Sequence, residues 1–164
     1  MSSASEARFR VQAPNSRPRQ IKVIALDAPS EGIVRRLTET AWAHADFFTA
    51  AVPDGADSAT GVGAGGGWLR SVEGDPKDLI DEVDRADLVV MVAVPGERID
   101  AVRMIGEACS HRRVTTTALI VGSEAASDEA LSITLKQLRP WSLMVVIANA
   151  DDYVEDMLVA LRGR

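Results

Sequence analysis

The sequence predicts an α/β protein, namely a three-layer α/β/α, Rossmann-like domain with a mainly parallel sheet of five or six strands. Short apolar runs alternate with segments in which apolar residues recur every three or four positions. This alternation indicates strands separated by helices. The central run, residues 88–94, is apolar at every position, which is typical of a parallel strand covered by helices on both faces.

Composition divides the chain into two parts. Residues 1–20 are rich in Ser, Arg and Pro and predict a disordered N-terminal arm, whereas residues 21–164 predict a single domain. The net charge is -6; the arm carries four arginines against Glu6, or +3, which leaves -9 for residues 21–164. Such an acidic body repels a phosphate backbone, so we expect no nucleic-acid partner.

The apolar runs, the cysteine and the histidines of the sequence indicate the cell compartment and whether a metal site is expected. No apolar run reaches the roughly 18 residues of a membrane span, and the first ten residues lack the apolar core of a signal peptide. Cys109 is the single cysteine, and the two histidines have no ligand spacing. We therefore expect a cytoplasmic protein with no membrane association, no disulfide and no metal site.

The predicted strands are short apolar runs bounded by polar or turn residues. In chain order they are residues 21–26, 45–52, 88–94, 115–121 and 142–148. Residues 68–74 fit a short strand or a loop equally well. Residues 53–67, rich in Gly, Ala and Asp, predict a long loop.

The predicted helices show apolar residues at helical spacing together with capping residues. They cover residues 30–43, 75–85, 97–111, 127–138 and a last segment from residue 152. Ser30 is placed to cap the first helix. Asp75-Pro76 is a typical helix start, and Asp152 with Glu155 matches a capping box.

The carboxyl ends of parallel strands meet at one edge of the sheet, which is where ligands bind in such folds. The loops expected there are residues 27–30, 53–67, 95–98 and 149–152. The candidate ligand-binding residues in these loops are Gly61, Gly63, Gly65, Gly66, Glu97 and Asn149. No residue is assigned a catalytic role.

Each candidate has a structural alternative. The glycines expose backbone N–H groups that can hold a phosphate, but they also suit a plain flexible loop. Their G-x-G-x-x-G spacing would favour a dinucleotide only directly after the first strand, which is not where they lie. Glu97 also suits a helix start, and Asn149 a turn.

Acids and tryptophans add further hypotheses. Asp27 and Glu31 are an acid–base pair or, alternatively, favourable charges at a helix N-terminus. Cys109 is expected to be a small core residue. Trp68 and Trp141 are partner anchors or are packed against the end of the sheet.

The order of segments resembles the nucleotide-binding half of the tubulin/FtsZ family. Gly61-Val62-Gly63-Ala64-Gly65 resembles the family's phosphate loop. Four further segments resemble its strands, namely Ile21-Lys22-Val23-Ile24, residues 45–50, residues 86–93 and residues 143–149, which end in Asn149. The resemblance implies a Rossmann-like fold, a guanine nucleotide as cofactor and self-association.

The chain departs from that family at both phosphate loops. Asp27 and Glu31 stand where the family has a glycine-rich turn, and residues 94–100 replace its GGGTGTG signature. Glu97 would place a carboxylate at a helix start, inside the anion site. The family's water-activating acids lie in a second domain, which we expect this chain to lack.

These departures predict a non-catalytic, FtsZ-like module with its GTPase activity lost. Its partner would be another protein or further copies of itself. Two alternatives remain open. One is a nucleotide- or phosphate-binding regulatory protein that uses the glycine loop. The other is a small α/β enzyme on a phosphorylated substrate, with Glu97 or Asp27 as acid or base.

Overall fold

A computed structural model describes residues 18–50, 69–149 and 151–161. These residues form a seven-stranded sheet with helices on both faces. The strands are β1 (Ile21–Ala25), β2 (Ala45–Ala50), β3 (Leu69–Ser71), β4 (Pro76–Lys77), β5 (Leu88–Ala93), β6 (Thr115–Val121) and β7 (Met144–Ala148). The helices are α1 (Ala28–Leu37), α2 (Leu79–Asp84), α3 (Val102–Arg112), α4 (Asp128–Leu138) and α5 (Asp151–Ala160).

The strand order is β4-β3-β2-β1-β5-β6-β7. Strands β2, β1, β5, β6 and β7 are parallel, and β3 and β4 add an antiparallel hairpin at one edge. The winding reverses between β1 and β5, which makes the gap between their carboxyl ends the topological switch point. The predicted α/β fold class is confirmed, with the hairpin raising the strand count to seven.

The core consists of two apolar layers, one on each face of the sheet. The buried residues of α1 and α5 pack on one face of the sheet, and those of α2, α3 and α4 pack on the other. Strand β5 is buried along its whole length, as expected for a central parallel strand.

A buried cation holds α2 to the sheet. Lys22 of β1 is 4% exposed. Its Nζ contacts the Asp46 carboxylate and lies 3.0 Å from Glu82 Oε2. The charge therefore enters the apolar layer with two carboxylate partners, as a buried cation requires.

The predicted start of α2 at Asp75-Pro76 is wrong. Ser71 N–H donates to Asp75 O at 2.9 Å, and Gly74 takes the left-handed turn at φ +98°. This turn draws Pro76 into the edge strand β4, where a missing N–H costs nothing. Asp78 caps the helix instead, because its Oδ1 accepts from Ile80 N at 2.8 Å and Asp81 N at 3.1 Å.

Three other helix bounds differ from expectation. Helix α1 is capped by Asp27, with Ser30 as the reciprocal partner of a capping box, and it ends at Leu37. Its last turn closes early because Trp42 Nε1 donates to Leu37 O at 2.7 Å. Helix α3 begins at Val102 rather than at Glu97. Helix α5 begins at Asp151, so Asp152 lies in its first turn and not at a cap.

Two predicted segments fall wholly or mostly outside the described residues, namely the arm at 1–20, apart from residues 18–20, and the loop at 53–67. At the described end of the arm, Gln20 N–H donates to Asp87 Oδ2 at 2.9 Å. Within the described ranges, no helix is long and apolar enough to cross a membrane.

Candidate functional site

Asp27 occupies the switch point between β1 and β5. It follows the last residues of β1 and is partly buried. Its Oδ1 accepts from Ser30 N at 2.7 Å, and its Oδ2 accepts from Val94 N at 2.8 Å. One carboxylate thus caps α1 and also ties it to the chain that leaves β5. Backbone N–H groups of this kind are the donors that hold phosphate in related sheets.

The other described loops at this edge also bond among themselves. Gly96, at φ +87°, donates its N–H to Thr134 Oγ1 of α4 at 3.2 Å. Ser123 Oγ donates to Asn149 Oδ1 at 2.8 Å, joining the ends of β6 and β7. Gly96 N–H and the side chains of Ser123 and Asn149 therefore have partners within the protein.

The structure contradicts the predicted placement of Glu97. Glu97 lies exposed in the loop before α3, five positions ahead of the first helical residue, Val102. It therefore does not fill a helix N-terminal anion site. The loop stays non-helical because Pro95-Gly96 forms a turn and Ile99 buries its side chain. Arg98 is exposed as well, 3.3 Å from Asp100 Oδ2.

Glu31 also turns away from the switch point. Its Oε1 accepts from Arg35 Nη2 at 2.7 Å, one turn along α1. Of the three acids that the sequence offered for the phosphate positions, namely Asp27, Glu31 and Glu97, Asp27 alone accepts from backbone N–H groups at the switch point. Gly61, Gly63, Gly65 and Gly66 lie outside the described residues, as does Trp68.

Trp141 and Cys109 both have structural roles, since Trp141 packs against a helix and Cys109 lies in the core. Trp141 packs over Gly106 of α3, so closely that a Cβ on Gly106 would lie 2.6 Å from its ring. Cys109 is 1% exposed within the same apolar layer. Burial raises the pKa of its thiol to about 12, above the ordinary 9.0, although Arg112 opposes the shift. A buried thiol that keeps its proton at neutral pH is a weak nucleophile, as expected of a core residue.

Open cavities lie away from the carboxyl edge. One of about 300 Å³ opens where β5 and β6 begin, beside the Arg112–Asp84 ion pair. Another of about 390 Å³ opens beside Lys22, Asp46 and Glu82. The described part of the chain holds no cluster of three or more His, Cys, Asp or Glu side chains that suits a metal.

Two features escaped the sequence reasoning. The first is the ion cluster at Lys22, whose only signal is a lysine inside an apolar run. The second is the outer side of β7, where Leu143, Met144 and Ile147 are 81%, 46% and 46% exposed. The run predicted a strand but carried no sign that the strand would end the sheet.

Comparison with known proteins supports the fold. No protein-family model and no curated protein matches the chain. Among solved structures, one match is translation elongation factor SelB from Methanococcus maripaludis in complex with the GTP analogue GppNHp. Its TM-score is 0.51 at 10% identity over 88% of this chain and 34% of that chain. The apo form of SelB has a TM-score of 0.43 at 10% identity, over 88% and 35%.

The present chain spans about a third of the length of those neighbours. At 10% identity, the likeness to the complexed SelB shows the α/β fold alone. At the switch point, the Asp27 carboxylate already accepts from the N–H groups of Ser30 and Val94. A phosphate brought there would face that negative charge.

Proposed function

We propose that this chain is a non-catalytic module, similar to a degenerate tubulin/FtsZ nucleotide-binding domain, that acts by binding another protein chain or further copies of itself. The observation that carries the proposal is the double hydrogen bond of Asp27 to Ser30 N and Val94 N. It removes the donors that phosphate chemistry would need at the switch point. The exposed apolar residues of β7 supply a surface for a partner.

Calorimetry tests the loss of nucleotide chemistry. The full chain is titrated with GTP, GDP, ATP and GppNHp in the presence of Mg²⁺, and phosphate release is followed in parallel. We expect no binding heat up to about 1 mM, the range in which a site has lost most of its affinity. Micromolar binding together with turnover would contradict the proposal.

A guanine nucleotide regulator is the second candidate. It is supported by the GTP analogue in the matching SelB structure and by the glycines at 61–67. Gly63→Trp should then abolish nucleotide binding while thermal unfolding stays unchanged. Equal binding by wild type and variant would remove the glycine segment as the site. The small-enzyme alternative is tested by turnover that Glu97→Gln abolishes.

A further inference from the structure

The two edges of the sheet are built differently. The edge at β4 has two residues, Pro76 and Lys77, both exposed. A short strand, a proline and a lysine are devices that prevent an edge from pairing with another chain. The edge at β7 has five residues, all apolar, and carries none of these three devices. Among the described residues, nothing pairs with its outer side.

The sheet ladder determines which backbone groups of β7 face outward. Leu26 N–H donates to Val92 O at 2.9 Å, so Val92, Val90 and Leu88 face β1 and the residues between them face β6. In a parallel pair, a residue that faces its neighbour bonds to the two residues flanking its register partner. We applied this rule to the register of β5 with β6 and then to that of β6 with β7. The backbone groups of Val145 and Ile147 then point away from β6. Their N–H and C=O groups form the free edge.

We propose that this edge pairs antiparallel with β7 of a second copy of the chain, so that two sheets join into one. This step rests on the proposed function and names its partner. A twofold axis through Val146 pairs Val145 with Ile147 of the second copy, and the reverse. Each pair exchanges two hydrogen bonds, or about four in total. The same residues meet on both sides, as a twofold interface requires.

Side chains favour the same arrangement. Val145 packs toward the α4 face of the sheet, so alternation places Leu143 and Ile147 on that face too. In the antiparallel register, Val145 and Ile147 become direct cross-strand neighbours. Such β-branched pairs stabilise a sheet. Pairing covers the exposed part of Ile147 with Val145 of the second copy.

Charge favours a second copy over an unrelated acidic or basic segment. Residues 143–148 carry no charge in a chain of net charge -6, so two copies meet without repulsion at the strand. The axis also sets α4 beside α4 of the second copy, in opposite directions. Helix α4 begins with Asp128 and Glu129 and ends near Lys136 and Arg139. Antiparallel α4 helices therefore align acidic ends with basic ends.

Sedimentation of the full chain tests the pairing. We expect a dimer of about 35 kDa, twice the 17.5 kDa chain mass. Ile147→Lys should raise the dimer dissociation constant about 100-fold, since a twofold interface receives the added charge twice. The matched control is Ile80→Lys, an exposed apolar residue of α2, which should leave the constant unchanged because α2 lies against Lys22 of β1 and away from the β7 edge. An equal effect of both substitutions would overturn the proposal.

Amide exchange gives a second measurement that needs no variant. In the dimer, the amides of Val145 and Ile147 should be protected at high protein concentration and lose protection on dilution. Val146 N–H bonds to β6 and should stay protected throughout. Fast exchange at Val145 and Ile147 at all concentrations would overturn the pairing.

The two proposals fail separately. A monomer at 100 µM, or a dimer that forms through another surface, overturns the β7 pairing and leaves the nucleotide titration as it was. Binding of β7 to a foreign strand while the chain itself stays monomeric also counts against a second copy as the partner. Nucleotide turnover by an intact β7 dimer would overturn the non-catalytic proposal alone.

Discussion

Removing the Asp27 carboxylate should destabilise the protein more than removing an ordinary helix cap. In Asp27→Ala, α1 loses its N-cap bond, which costs about 1 kcal/mol. The Val94 N–H, bonded to Oδ2 at 2.8 Å, also loses its acceptor. A buried donor left unsatisfied costs about 1–3 kcal/mol. We therefore expect the free energy of unfolding to fall by about 2–4 kcal/mol, measured by urea unfolding followed by circular dichroism.

Asp78→Ala is the matched control. Asp78 accepts two N–H bonds, as Asp27 does, but both of its donors lie in α2. Asp27 accepts one bond from α1 and one from Val94. Its loss should cost about 1 kcal/mol. The difference between the two variants measures the bond to Val94. Equal losses in both would refute the reasoning, because Asp27 would then act only as a helix cap and the switch point would not depend on it.

Three further predictions concern stability. Gly106→Ala should destabilise the protein by about 1–3 kcal/mol, because the added Cβ would lie 2.6 Å from the Trp141 ring. Its control, Gly32→Ala, should stabilise the protein by up to about 1 kcal/mol, because no atom lies within 4 Å of the added Cβ. Arg113→Gly should raise the melting temperature, because Arg113 holds φ 56°, which favours glycine. The raised pKa of Cys109, about 12 against 9.0, keeps its proton in the folded chain, so stability should fall as pH rises from 9 toward 12. Urea unfolding of wild type and Cys109→Ala across that range measures this loss, and the variant, which keeps only the contributions of other groups, should lose less stability than wild type.

The strands could be predicted closely because their signal is local. β6 covers the predicted residues 115–121, and β1 and β5 each end one residue early. An apolar run bounded by polar residues contains all that is needed to place a buried strand. The fold class followed from the alternation of such runs with helical segments.

Helix starts could not be predicted where contacts distant in sequence decide them. Asp75-Pro76 and Asp78 offer equivalent local signals, and the antiparallel pairing of β4 with β3 selects Asp78. Glu97 offers a favourable first-turn charge, but Thr134, 38 residues away, accepts the N–H of Gly96 and holds the turn ahead of it. Local propensity carries no information about either contact.

Of the candidate site, the position of Asp27 at the switch point could be predicted from the sequence, and its hydrogen-bond partner Val94 could not. The sequence placed unfavourable acids in the phosphate positions, and Asp27 does occupy the switch point. The bond to Val94 spans 67 residues, so no spacing rule could reveal it. Glu31 and Glu97 differ because α1 offers Arg35 as a partner and the Gly96 turn delays α3.

The Asp27 hydrogen bonds also determine the free-energy cost of binding a phosphate ligand at the switch point. A phosphate at the switch point must first displace a carboxylate from two N–H donors. Hydrogen bonds to a charged group contribute about 1.5–3 kcal/mol each, so the displacement costs about 3–6 kcal/mol. A ligand with an intrinsic micromolar affinity, about 8 kcal/mol, would keep about 2–5 kcal/mol, which corresponds to a dissociation constant of about 0.2 to 30 mM. This free-energy cost applies to phosphate groups at the switch point and does not affect binding at the outer edge of β7. Under the two proposals, the carboxyl ends of the strands no longer bind a nucleotide, while the lateral edge at β7 binds a second copy of the chain.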